Sequence, residues 1–199
     1  PVVVCDGREI TARHVVVAAG AWLPRLAPAL ARHCTVTRRV MGWFRPHRPD
    51  EYGTARFPVF LRNDRSGLRT WYGCPALDRG TVKVALHAGP SLTETVDPDE
   101  RPRPGDAADA AALAEVVADT LPGLDPQPVD LVSCMYTVTP DEHFLIGGRP
   151  DLPGLTLLGG FSGHGFKFAS AVGEIAAELA TTGRTSLPVD MFAPDRFDP

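Results

Sequence analysis

The chain has 199 residues, 44% of them hydrophobic and 22% charged, with a formal net charge of −4; this is globular composition with enough length for one large domain or two small ones. That charge, with no basic stripe interleaved with aromatics, excludes an electrostatic case for nucleic acid. No apolar run approaches the roughly 18 to 20 residues that span a bilayer, and no secretory leader pattern is present, so a cytoplasmic protein without membrane contact is expected.

Val2 to Cys5 and Glu9 to Thr11 flank Asp6-Gly7, which predicts a short hairpin with a D-G turn. Val15 to Ala19 is apolar at every position, as in a parallel strand buried on both faces. Gly20 and Ala21 follow it and permit close backbone approach at the strand's carboxyl end. Trp22 to Ala31 reads as a short helix with Pro24 near its start. A parallel strand needs neighbours, and the residues before it supply none. With the start at Pro1 rather than a methionine, this leads us to expect a piece of something longer.

From Thr35 the texture changes to short, partly alternating strands at Val36 to Phe44, Val59 to Asn63, Leu68 to Tyr72 and Thr81 to His87. Turns are expected at Asp64 to Gly67 and at Asp78-Arg79-Gly80. The pattern predicts a mostly antiparallel sheet with one wetted face. Lys83 and His87 fall on the same face as Ala85, and from these residues alone Lys83 reads as solvent-facing. Asp97 to Gly105 is a proline-rich connection. Asp106 then caps a helix carrying Leu113, Val116, Val117 and Leu121 on one face. Val129 to Thr137 returns to strand, with Cys134 and Tyr136 on one side.

The chemistry is concentrated in the stretch from Ser133 to Gly183. A Pro140-Asp141-Glu142-His143 turn precedes an apolar strand, Leu155 to Leu158. Gly159-Gly160-Phe161-Ser162-Gly163-His164-Gly165 then opens a helix whose start carries Lys167. Phe168, Val172, Ile175 and Leu179 give that helix its apolar spacing, and Gly183 stops it. Backbone N–H groups and the helix dipole there face an anionic or electron-rich ligand. Pro188 to Pro199 reads as a polar, proline-rich tail. The cysteines Cys5, Cys34, Cys74 and Cys134 lie far apart without a C-x-x-C pair, which favours free thiols and speaks against zinc; no metal site is expected.

The run Cys134-Met135-Tyr136-Thr137-Val138-Thr139-Pro140-Asp141-Glu142-His143-Phe144, followed by Gly160-Phe161-Ser162-Gly163-His164-Gly165-Phe166-Lys167-Phe168, resembles the monomeric sarcosine oxidase and N-methyl-tryptophan oxidase family. These are flavoproteins of the D-amino-acid-oxidase-like superfamily, and the resemblance extends from Thr11 to Phe192. It implies an α+β chain: a mostly antiparallel substrate domain over 35–132, and the late elements of a split, glutathione-reductase-like FAD-binding domain over 1–34 and 133–199. The cofactor implied is FAD, bonded through the sulfur of Cys134. The resemblance places Gly20, Ala21, Trp22, Met135, Gly163, His164, Gly165, Phe166 and Lys167 around the cofactor. Lys83 becomes the residue that promotes oxygen reduction. Tyr72, His87, Tyr136 and Lys167 line the pocket for a small amine or amino-acid substrate, and His87 is one candidate for the amine's base, substrate bound already deprotonated being the other. A helix N-terminus near the flavin pyrimidine edge would contribute about 0.5–2 kcal/mol.

The family's G-x-G-x-x-G, with its βαβ unit and acidic ribose-binding residue, has no counterpart in these residues, nor has its carboxylate-clamping arginine. The expectation is therefore the C-terminal part of a longer oxidase, with FAD weakly held or absent in this piece alone and the N-terminal half as a candidate partner. Two other readings stand beside it: a non-catalytic module binding a small amino acid or a partner chain without flavin, and a dehydrogenase relative that passes electrons to a carrier other than oxygen.

Overall fold

The computed structural model describes residues 1–28, 33–77, 80–89, 92–100 and 102–198. In chain order the elements are β1 (Val2–Cys5), β2 (Arg8–Thr11), β3 (Val15–Val17), α1 (Leu23–Leu26), β4 (Thr35–Pro46), β5 (Phe60–Asn63), β6 (Thr70–Cys74), β7 (Val82–Ala88), α2 (Ala107–Thr120), β8 (Leu124–Val138), β9 (Leu145–Arg149), β10 (Leu152–Gly159) and α3 (Ala169–Thr182). They form two units, Pro1–Val36 with Tyr136–Pro199, and Thr37–Met135.

In the first unit β1 and β2 pair antiparallel from Val2↔Thr11 to Cys5↔Arg8. Asp6 and Gly7 both take positive φ, 50° and 73°, the geometry a two-residue hairpin needs to match strand twist. A three-stranded sheet has the order β3-β10-β9, with β10 parallel to β3 and antiparallel to β9. The expectation of double-sided burial at Val15 to Ala19 is corrected here. Strand β3 is an edge with a single partner among the described residues, and Val16 is 39% exposed. The strand buried on both sides is β10: Leu157 packs with Leu23, Cys34 and Leu145, while Leu158 packs with Phe144, Ile146, Val172 and Ile175. Alternation sends successive side chains into two different clusters.

The helix expected over Trp22 to Ala31 is also shorter. A 3-10 turn at Gly20–Trp22 leads into α1, which ends at Leu26 because Ala27 leaves the helical region (φ −128°, ψ 73°). Pro28 follows, and the residue before a proline is pushed away from α. The last residues of that expected helix, 29–31, lie outside the described residues. Helix α3 ends as expected, with Gly183 left-handed at φ 74°.

The second unit holds a five-stranded sheet in the order β5-β6-β7-β4-β8, with β5–β6, β6–β7 and β7–β4 antiparallel. Between β5 and β6 the Asp64 carboxylate accepts from Leu68 N at 3.1 Å and Arg69 N at 3.3 Å. These bonds widen the loop, so β6 begins at Thr70 rather than Leu68. Of the expected turn at Asp78-Arg79-Gly80, the first two residues lie outside the described residues. Strand β8 is longer than expected and includes Pro126 and Pro128, which an edge strand tolerates. Helix α2 opens on a capping box: Asp106 accepts from the backbone of Ala108 and Asp109, and Asp109 accepts from Asp106 N. Its Leu113, Val116 and Val117 bury against Val40, Phe44, Trp71, Val82, Val84 and Leu86 of the sheet.

Candidate active site

That core lies on one face of the five-stranded sheet, so alternation assigns the opposite face to the residues between. Register sets Trp43 and Cys74 on either side of Lys83, and Met41 and Tyr72 on either side of Ala85. Lys83, expected at first as a wetted lysine, is partly buried, with Nζ 5.4 Å from the centre of the Tyr72 ring. A cation over a ring face is attracted by its quadrupole. Tyr72 meets His87 edge-on at 6.4 Å. The sheet thus brings Lys83, His87 and Tyr72 together.

Cys134 on β8 belongs to the same group. Burial pushes its thiol up from the ordinary value, while the charges of Arg39 and then Lys83 pull it back down. Arg39 is itself buried, donating through Nη1 to Arg38 O at 2.8 Å and Leu92 O at 3.2 Å. Arg39 was missed in the sequence; the signal was the Arg38-Arg39 pair inside a strand, where alternation must send one guanidinium to each face. Arg38, on the α2 side, donates to Asp109 Oδ2 at 2.7 Å and Oδ1 at 3.1 Å. Met135, next after Cys134, is turned from the thiol's face by the same alternation.

The remaining expected site residues lie in the first unit. Gly20 takes φ 53°, Ala21 is buried and Trp22 is 43% exposed. In the glycine loop three left-handed positions fall at Gly160, Ser162 and Gly163 (φ 58°, 49° and 78°). Ser162 is the non-glycine among them, and its bonds explain it: N donates to Thr137 O at 2.9 Å and Oγ to Gly160 O at 3.0 Å. Gly163 lies against the Tyr136 ring, which occupies the place of a Cβ. The His164 ring N–H donates to Glu142 O at 3.0 Å, and Lys167 Nζ donates to His164 O at 2.8 Å. Gly165 packs against Phe161, and Phe166 is 95% exposed. Helix α3 itself begins with no side-chain cap.

Burial holds the Cys134 thiol above its ordinary value, and the charges of Arg39 and Lys83 offset only part of that rise. Within the second unit, Arg39 and Lys83 beside Cys134 supply fixed positive charge of the kind that suits the electron-rich edge of a flavin. Within the first unit, the ring that Gly163 admits is that of Tyr136. Among the described residues no cluster of His, Cys, Asp or Glu could hold a metal ion, and no helix is long and apolar enough to cross a membrane.

The family model described as "FAD dependent oxidoreductase" (DAO) matches residues 1–179. The monomeric sarcosine oxidase of Streptomyces avermitilis is 38% identical over 193 residues, which cover 94% of this chain and 49% of that protein. The peroxisomal sarcosine oxidase of Mus musculus is 37% identical, over 98% of this chain and 55% of that protein. Among solved structures, the fructosyl amine: oxygen oxidoreductase (Amadoriase I) of Aspergillus fumigatus superposes with a TM-score of 0.75 at 20% identity. It covers 95% of this chain and 44% of its own, a likeness of fold alone. The chain therefore spans about half the length of the curated relatives it matches.

Proposed function

The chain belongs to the DAO family of FAD-dependent oxidoreductases, and from that premise we propose that it supplies part of an oxidase of secondary amines, N-methyl amino acids such as sarcosine in particular. The first unit is read as the late elements of a split FAD-binding domain, and the second as the substrate domain. The observation that carries the proposal is the sheet face holding Lys83, Tyr72 and His87, with Cys134 under the charges of Arg39 and Lys83.

FAD, when bound, would supply the redox chemistry, a two-electron oxidation of the carbon beside the substrate nitrogen with dioxygen as final acceptor and hydrogen peroxide as its product. The protein's groups orient and polarise. Lys83 holds a positive charge where negative charge develops on oxygen, and a preorganised charge costs no reorganisation at that moment. Cys134 would offer its sulfur for covalent attachment, Arg39 and Lys83 offsetting part of the rise that burial imposes on the thiol. Tyr72 and His87 shape the substrate side; His87 is one candidate for the amine's base, binding of the amine already deprotonated being the other. In the first unit, the Gly163–Phe166 backbone would help to hold FAD, and Lys167, which donates to His164 O, would offer its cation to the substrate carboxylate.

The test is the protein made from its complete gene. It should be yellow, with flavin that precipitates with the protein in trichloroacetic acid, and Cys134→Ala should release that flavin. Sarcosine-dependent oxygen uptake with equal peroxide should fall in Lys83→Met. Colourless protein would overturn the reading in favour of a module that binds an amino acid without flavin.

A further inference from the structure

Arg196 lies in the tail that reads as merely polar and proline-rich, yet it grips the turn beneath the glycine loop. Its Nε donates to Asp141 Oδ2 at 2.8 Å, and its Nη2 to Asp141 Oδ1 at 2.9 Å and His143 O at 3.1 Å. The guanidinium is fixed from behind by a bond to Ala193 O at 3.1 Å and by the Phe197 ring, 4.2 Å from its carbon. Asp141 Oδ1 also accepts from Thr139 Oγ1 at 3.1 Å and His143 N at 3.0 Å. Between them Glu142 is left-handed, φ 58°, a conformation that persists only where its surroundings over-determine it.

Glu142 O is the acceptor for the His164 ring, and His164 O is the acceptor for Lys167 Nζ. A continuous set of bonds therefore runs from the tail through the turn into the loop. We propose that Arg196 is a positioning residue for the Gly160–Lys167 loop, acting through the Asp141–His143 turn. The proposal rests on the reading of that loop as the flavin- and substrate-facing element. Arginine suits the task because its planar fork satisfies a carboxylate and a carbonyl at once; lysine carries the charge without the fork.

The test is hydrogen exchange by mass spectrometry on the protein made from its complete gene, comparing wild type with Arg196→Gln, Arg196→Lys and Asp198→Asn. Asp198 belongs to the same tail but pairs with His33 and Arg149, so it controls for loosening of the tail as such. Arg196→Gln should speed exchange from Glu142 to Lys167 roughly ten- to a hundredfold, as expected for a lost charge-assisted bond. It should leave β10 and the five-stranded sheet unchanged. Arg196→Lys should recover part of the protection, and Asp198→Asn should keep it all. A uniform rise across the chain, or an equal rise in Asp198→Asn, overturns the proposal. Asp141→Asn reaches the same pair from the other side should Arg196→Gln not fold. Because the readout is backbone exchange and not flavin content or turnover, its outcome and that of the flavin test above stand or fall separately.

Discussion

The Tyr136 ring lies where a side chain on Gly163 would have to go, and Gly163 is left-handed at φ 78°. The strand that carries the tyrosine and the loop that carries the glycine are thus fitted to each other. Gly163→Ala meets both a conformational and a steric objection. It should cost about 1–3 kcal/mol in urea unfolding. Combined with Tyr136→Ala the loss should be less than additive, because the clash has been removed; strict additivity would show that the ring does not hold the loop.

Three of the four thiols should separate by chemistry. Burial pushes Cys34 up to about 11, with Arg196 offsetting it only in part, so it should resist iodoacetamide in folded protein. Cys5 is exposed and should react first. Cys134 is raised by burial and lowered by Arg39 and Lys83. Replacing either cation, as Arg39→Gln or Lys83→Met, should raise the thiol further and slow its alkylation roughly two- to tenfold near neutral pH. Peptide mapping of the labelled protein reads this directly, and an unchanged rate in both variants would remove the cations from any role at the sulfur.

The Arg196 guanidinium, bonded to Asp141, holds that carboxyl well below the usual carboxylate range, helped by bonds from His143 N and Thr139. A depressed folded value means the stabilisation is complete above the unfolded carboxylate pKa of about 3.9. It is lost as pH falls below that value towards the folded one. Acid titration of the wild type should therefore show loop exposure only well below pH 4 or so. In Arg196→Gln, exposure should already be present at neutral pH, with a weaker acid dependence. Loop-specific exchange across a pH series measures both.

Helix α2 offers a contrast between a cap and a buried ion pair. Asp106→Ala removes a cap and should cost about 1 kcal/mol. Asp109→Ala removes the nearer carboxylate of Arg38, whose side chain is 4% exposed, and leaves that charge to Glu94 at 3.4 Å and two backbone carbonyls. The cost should be about 2–3 kcal/mol, at the low side for a buried pair because Asp109 is itself 19% exposed. Arg38→Met with Asp109→Leu should recover much of it. Equal losses for Asp106→Ala and Asp109→Ala would reduce the ion pair to a surface contact.

Local pattern was enough for much of this protein. The Asp6-Gly7 hairpin, the Asp106 cap, the Gly183 stop and the antiparallel strands of the second unit are all legible, because turn chemistry and side-chain periods of two and 3.6 act within a few neighbouring residues. The run from Cys134 to Phe144 and the glycine loop announced the family for the same reason, being contiguous. Tertiary structure alone decided the rest. That β10 and not β3 is buried on both sides depends on which strand finds two partners, and an all-apolar run reads the same either way. Which of Arg38 and Arg39 meets the helix and which the thiol depends on register across the sheet. Arg196 and Asp141 are 55 residues apart in sequence; nothing in the composition of a polar tail points to its partner, because a salt bridge is chosen by where the folded backbone brings two charges and not by their neighbours along the chain.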